Sequence, residues 1–159
     1  MGEIPDMFAK RREPFKYMKN KYLMKFLCLT LASGMTLSGP VSVMAAEENA
    51  KINKIKNAKF YQGDASELLP KMIRDGEVFD IVVADPPRTG LGEKFINTLL
   101  DSEVKKIIYV SCNPATLAKD LEVLRVKYNV NSITPVDMFP QTPLVETVAL
   151  LTLNPSVKK

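Results

Sequence analysis

Cys112 stands in Ser111-Cys112-Asn113-Pro114-Ala115-Thr116-Leu117, where an apolar run ends and a helical pattern begins. A thiol at such a junction faces unpaired backbone N–H groups and the positive end of the helix dipole, both of which favour the nucleophilic thiolate. A lone cysteine is also a small buried hydrophobe, so the choice between the two readings falls to its neighbours. Glu146 is one of them: in Phe139-Pro140-Gln141-Thr142-Pro143-Leu144-Val145-Glu146-Thr147-Val148 it opens an otherwise apolar run, which sets it apart from a random surface charge. The third stretch, Asp85-Pro86-Pro87-Arg88-Thr89-Gly90, follows the most apolar run, Phe79 to Ala84. Its prolines stiffen the turn and aim Asp85, whose carboxylate can accept hydrogen bonds from a ligand; the plainer reading is an Asp-Pro turn leaving a strand.

These residues need elements to hold them. After residue 46, helical and strand patterns alternate at the spacing of a parallel α/β sheet. The pattern predicts helices over Glu47–Lys56, Ala65–Arg74, Glu93–Leu100 and Ala115–Lys127, and strands over Ala58–Gln62, Phe79–Ala84 and Lys106–Val110. Val130–Val136 and Val145–Leu153 follow with no helix between them, which predicts an antiparallel pair at the carboxyl end. Asp85 and Cys112 then both leave the carboxyl edge of the sheet, the edge where α/β folds bind ligands.

The chain has 159 residues, one domain's length, and 46% hydrophobic residues, enough for a single core. Its net charge of +4 is local: the first 25 residues hold seven Lys or Arg against three acids, so of 22 basic and 18 acidic residues the remainder holds 15 of each. The basicity is therefore a property of the amino-terminal tail and is no evidence that the folded part attracts RNA. Two cysteines without CxxC spacing, and no histidine, argue against a disulfide framework and a metal site. Residues 1–17 read as a disordered basic leader and 47–154 as the catalytic domain. Residues 18–46 have the layout of a secretory signal peptide, with Lys19, Lys21 and Lys25, an apolar stretch from Phe26 to Val43, and small residues at Ala45 and Ala46. They are too polar for a transmembrane helix, and a buried element of the downstream domain is the competing reading.

Three motifs together, DPPRTGL, YVSCNPATLAKDL and DMFPQTPLVETVALL, closely resemble the signature of the RNA uracil-5-methyltransferases that modify 23S ribosomal RNA and transfer RNA. The resemblance covers residues 49–153; Asn49-Ala50-Lys51-Ile52-Asn53 and Phe60-Tyr61-Gln62-Gly63-Asp64-Ala65 are similar to that family's cofactor-binding segments. It implies a Rossmann-like methyltransferase sheet, S-adenosylmethionine as methyl donor, RNA as partner with 23S ribosomal RNA the first candidate, no metal, and a cytoplasmic location. It also implies roles: Cys112 adds to carbon 6 of uracil, Glu146 takes the proton from carbon 5, Asp85 and Asp64 line the donor pocket, and Arg88 holds its loop or meets a phosphate.

Some of the family pattern is missing. The family's Gly-rich turn has no counterpart, since Gly34 and Gly39 are sparse and lie in an apolar run. The acid that would hold the donor's ribose falls at Leu37, and a His before the base is Leu144. Leucine accepts no hydrogen bonds, which predicts weakened donor binding and an incomplete fold. Residues 26–38 would then fill the vacant central strand position. Two other expectations stand beside catalysis: a truncated, non-catalytic remnant, or a protein exported or tethered to a membrane through residues 18–46 with idle motifs.

Overall fold

The computed structural model describes residues 26–30, 40–138 and 140–157. The leader 1–17 lies outside them, as do residues 18–25 and 31–39 of the signal-like segment, with Gly34, Leu37 and Gly39. In chain order the elements are β1 (Phe26–Thr30), α1 (Pro40–Ile52), α2 (Ala65–Arg74), β2 (Ile81–Asp85), α3 (Glu93–Asp101), β3 (Lys106–Ser111), α4 (Pro114–Leu124), β4 (Tyr128–Val136) and β5 (Glu146–Leu153). One sheet contains all five strands in the order β1-β2-β3-β5-β4. β1, β2 and β3 run parallel, and β5 lies antiparallel between β3 and β4. The α/β sheet and its antiparallel ending are those expected. Phe26–Thr30, within the stretch expected to fill the central position, pairs with β2, but among the described strands it stands at the end of the order rather than in its middle.

Period-two alternation decides which face is packed. Val82, Ala84, Ile107, Tyr109, Ala149 and Leu151 point to one face and join Leu69 of α2, Phe95 and Leu99 of α3, and Leu117, Leu121 and Leu124 of α4 in a single core. Phe95, Leu99, Ile107, Tyr109 and Leu151 are each fully buried, contributing about 1.5–3 kcal/mol apiece for the larger apolar side chains. The opposite face carries Val83, Ile108, Val110, Val148 and Leu150, all half-buried.

Two expectations need correction. Ala58–Gln62 is not a strand: these residues are exposed, Tyr61 at 54%, and among the described residues no strand lies alongside to pair with them. Apolar content satisfies one requirement of a strand; a hydrogen-bonded neighbour is the other. The first helix spans Pro40–Ile52 rather than Glu47–Lys56. Proline suits a first helical turn, where its missing N–H has no partner to lose, and the helix ends ahead of Lys54 at φ +57°.

Candidate active site

The carboxyl edge of β3 is built locally. Ser111, 4% exposed, ends the strand; its Oγ accepts from Asn113 N–H and donates to Asn113 C=O, both at 3.1 Å. Asn113 is the N-cap of α4: its Oδ1 accepts from Ala115 N–H at 3.1 Å, and Pro114 follows without an N–H. The half-buried Cys112 thus sits between a strand end and a helix start, as expected. The unpaired N–H groups expected around it are different: those of Asn113 and Ala115 are taken by neighbouring side chains, and Pro114 has none. What remains of that expectation is the dipole of α4.

Strand register brings the other residues in. β3 and β5 pair from Lys106↔Thr152 to Ser111↔Thr147. Ser111↔Thr147 is the last pair, so Cys112 and Glu146 each lie one residue beyond it, at the same edge of the sheet. Glu146, half-buried, is also paired on its other side with Val136 of β4. Because β2 pairs with β3 through Val83↔Ile108 and Ala84↔Tyr109, Asp85 is level with Val110. Alternation then places Asp85 and Glu146 on the face of the sheet opposite α2, α3 and α4, and Cys112 follows Ser111 at a bend at the same edge. Asp85 is exposed, and its carboxylate has no hydrogen-bond or ion-pair partner among the described residues. That leaves its carboxylate available to a ligand's donors.

Asp64 reaches the same edge differently, at the amino end of a helix that runs back against the strands. It caps α2: its Oδ1 accepts from Ser66 N–H and Ser66 Oγ–H, each at 2.8 Å, and these bonds hold its carboxyl below the usual value. Lys94 of α3, ion-paired with Glu67 of α2, fixes the two helix starts to each other. One carboxylate oxygen of Asp64 is therefore committed to the cap.

The loop after β2 is fastened to the Cys112 segment. Gly90 N–H donates to Pro87 C=O at 2.9 Å, closing a turn at φ +89°. Asn113 Nδ2 and Thr116 Oγ1 both donate to the carbonyl of Arg88 at 3.1 Å. Arg88 thus holds the loop through its backbone, leaving its guanidinium exposed. Asp120 of α4 accepts from Tyr109 O–H at 2.6 Å and from Leu91 N–H at 2.9 Å. Burial, then the Asp120 contact, raises the Tyr109 phenol far above its ordinary value. Sequence reasoning did not single out Asp120. Its signal was a charge in the apolar stripe of α4, at the helical spacing of Leu117, Leu121 and Leu124.

Two concavities lie away from this edge. One of about 220 Å³, between Ile73, Phe79 and Val104, is at the amino edge of the sheet. The other, about 510 Å³, lies between α1 and Ile55, Phe60 and Tyr61. Among the described residues, no cluster of His, Cys, Asp or Glu could hold a metal ion, and no helix is long and apolar enough to cross a membrane.

Comparison with known proteins places this arrangement. The tRNA (uracil-5-)-methyltransferase family model matches residues 22–154, beginning ahead of the motifs and taking in most of the 18–46 segment. A protein of Enterococcus faecalis described as an uncharacterized RNA methyltransferase is 52% identical over 112 residues, 70% of this chain and 24% of that protein. One from Listeria monocytogenes, with the same description, is 49% identical over 115 residues, 72% of this chain and 25% of its own length. The crystal structure of the Pyrococcus abyssi tRNA (uracil-54, C5)-methyltransferase in complex with S-adenosyl-L-homocysteine matches with a TM-score of 0.58 and 37% identity, over 72% of this chain and 27% of that one. This chain therefore spans about a quarter of the length of these relatives. With the family match extending over most of its length, the chain belongs to the tRNA (uracil-5-)-methyltransferase family.

Proposed function

We propose that this chain carries the catalytic part of an S-adenosylmethionine-dependent RNA uracil-5-methyltransferase, with Cys112 as nucleophile and Glu146 as base. The observation that carries the reading is the β3–β5 register, whose last pair, Ser111↔Thr147, brings the adjoining Cys112 and Glu146 to one edge of the sheet although 33 residues lie between them in sequence. Carbon 5 of uracil is a weak nucleophile. The Cys112 thiolate adds to carbon 6, a C–S bond forms, and the electron pair of the 5,6 double bond becomes available at carbon 5. Bound S-adenosylmethionine supplies the electrophilic methyl group. Glu146 then takes the proton from carbon 5, the double bond re-forms, and the thiolate leaves.

The residues present fit the donor in part. Asp85, with an uncommitted carboxylate at the edge, would accept from its ammonium or hydroxyl groups, and Asp64 offers one remaining oxygen. Leu37 cannot supply the ribose contact that the family places there, so we propose that the donor binds weakly. Residues 18–46 act in this reading as part of the catalytic fold, supported by the extent of the family match and by the pairing of β1 with β2, rather than as an export signal or membrane anchor. The proposed acceptor is a uridine of 23S ribosomal or transfer RNA. The archaeal relative acts on transfer RNA, and competition between the two RNAs as methyl acceptors decides.

The test is a denaturing gel of the protein with 5-fluorouracil RNA and S-adenosylmethionine at high concentration. Fluorine cannot leave carbon 5 as a cation, so a covalent band is expected to persist. Cys112→Ala is expected to abolish that band. With ordinary RNA, Glu146→Gln is expected to accumulate the methylated adduct. A band of equal strength in Cys112→Ala overturns the nucleophile assignment, no band at any donor concentration favours a non-catalytic remnant, and tight donor binding by calorimetry refutes the weak-binding claim.

A further inference from the structure

Asp120 Oδ2 accepts from Tyr109 O–H at 2.6 Å and from Leu91 N–H at 2.9 Å, joining α4, β3 and the loop after β2 at one atom. A Cβ built on Gly90 would fall 2.6 Å from that same oxygen, so the loop backbone approaches Asp120 more closely than any side-chain-bearing residue allows. A second fastening lies across the loop, where Asn113 Nδ2 and Thr116 Oγ1 hold the Arg88 carbonyl. Both lead to the nucleophile: Tyr109 precedes Cys112 on β3 and Asn113 follows it directly. Of the two, only the Asp120 fastening has an ionisable acceptor, which gives the shorter and stronger bond.

We propose that Asp120 is a positioning residue which, through Leu91 and Tyr109, locks the loop from Asp85 to Leu91 against the segment carrying Cys112, so that Asp85 and Arg88 keep a fixed disposition to the thiol. The inference rests on the reading of Cys112 as nucleophile. Asp120 itself touches no reacting atom. Its effect is to keep the loop from sampling arrangements in which uracil, donor and thiol are misaligned, and such misplacement is costly to rate.

Three measurements on the full chain test it, each on the parent, Asp120→Ala and Asp120→Asn. Amide exchange at Leu91 is expected to accelerate at least about tenfold in Asp120→Ala, while Ile107 and Leu151 in the core stay protected. The rate of adduct formation with 5-fluorouracil RNA is expected to fall about tenfold to a hundredfold. Asp120→Asn keeps an acceptor oxygen and is expected to recover part of both, a rescue that a general loss of stability would not give; it also carries the comparison should the alanine variant fail to fold. Alkylation of Cys112 by iodoacetamide, read by peptide mass spectrometry, is expected to quicken when the lock is broken. Unchanged exchange at Leu91 overturns the proposal, as does a loosened loop with an unchanged adduct rate. If the parent forms no adduct, the methyltransferase reading fails by itself, and Leu91 exchange with Cys112 alkylation still decides the lock: no change in either sinks it.

Discussion

Lys127 is 8% exposed, and its Nζ donates to the carbonyls of Leu100 at 2.7 Å and Ser102 at 2.5 Å, at the carboxyl end of α3. An ammonium there meets the negative end of the helix dipole and occupies carbonyls that the helix leaves without partners. Tyr128 O–H completes the set by donating to Leu99 C=O at 3.0 Å. Lys127→Met keeps the apolar stem and leaves those carbonyls unsatisfied, so it is expected to lower unfolding stability by about 1.5–3 kcal/mol, measured by urea denaturation. A loss below a few tenths would show that water replaces the ammonium. Nothing in the sequence marked this lysine, because a charge at the end of a helical pattern reads as surface. Cys112, Glu146 and Asp85 were legible because each breaks the pattern of an apolar strand at its end. Asp120 was not, since its partners Tyr109 and Leu91 lie 11 and 29 residues away, and only folding joins them.

Among elements, α2, α3 and β3 were legible nearly to the residue, because their apolar periodicity is clear. The segment 58–62 was not, because pairing is a property of two segments and only one was in view. The end of α1 is informative for the same reason. Ile55 N–H donates to Ala50 C=O at 2.8 Å and Lys54 N–H to Lys51 C=O at 3.0 Å, a Schellman closure whose left-handed position is filled by Lys54 at φ +57°. An L-residue with a side chain pays about 1–2 kcal/mol there, a cost that glycine avoids at the expense of greater unfolded-state freedom. Lys54→Gly is therefore expected to stabilise the last turn of α1 by about 0.5–1 kcal/mol. Slower amide exchange of Asn53, Lys54 and Ile55 would show it, and faster exchange would refute it.

At the scale of the whole molecule, the parallel strands and the antiparallel ending followed from the alternation of elements, while the strand order came only with the structure. Which face of the sheet is covered followed only from the coordinates, since α2, α3 and α4 all join the same core. That core contains two phenols with a pH consequence. Burial pushes Tyr128 from 10.0 up to about 12, and burial with Asp120 raises Tyr109 further. Both are neutral in the fold, and the unfolded chain loses these protons at lower pH. The stability they contribute is thus fully present below about pH 10 and lost as pH rises through their folded values, by about 1.4 kcal/mol per pH unit for each group. Urea midpoints measured at rising alkaline pH are expected to fall across that window; a flat profile would contradict the burial of the phenols.

The position of β5 between β3 and β4 also bears on the order in which the molecule comes together. β4 and β5 are neighbours in sequence and form a hairpin whose closure needs only a short loop, whereas joining that hairpin to β3 closes a longer one. A chain interrupted anywhere before Glu146 leaves β3 with an open edge and without the carboxylate at the edge that carries Cys112. Docking of the hairpin is thus the event that brings Glu146 to the edge that carries Cys112, and in the proposed reading a partly folded chain has the thiol without its base.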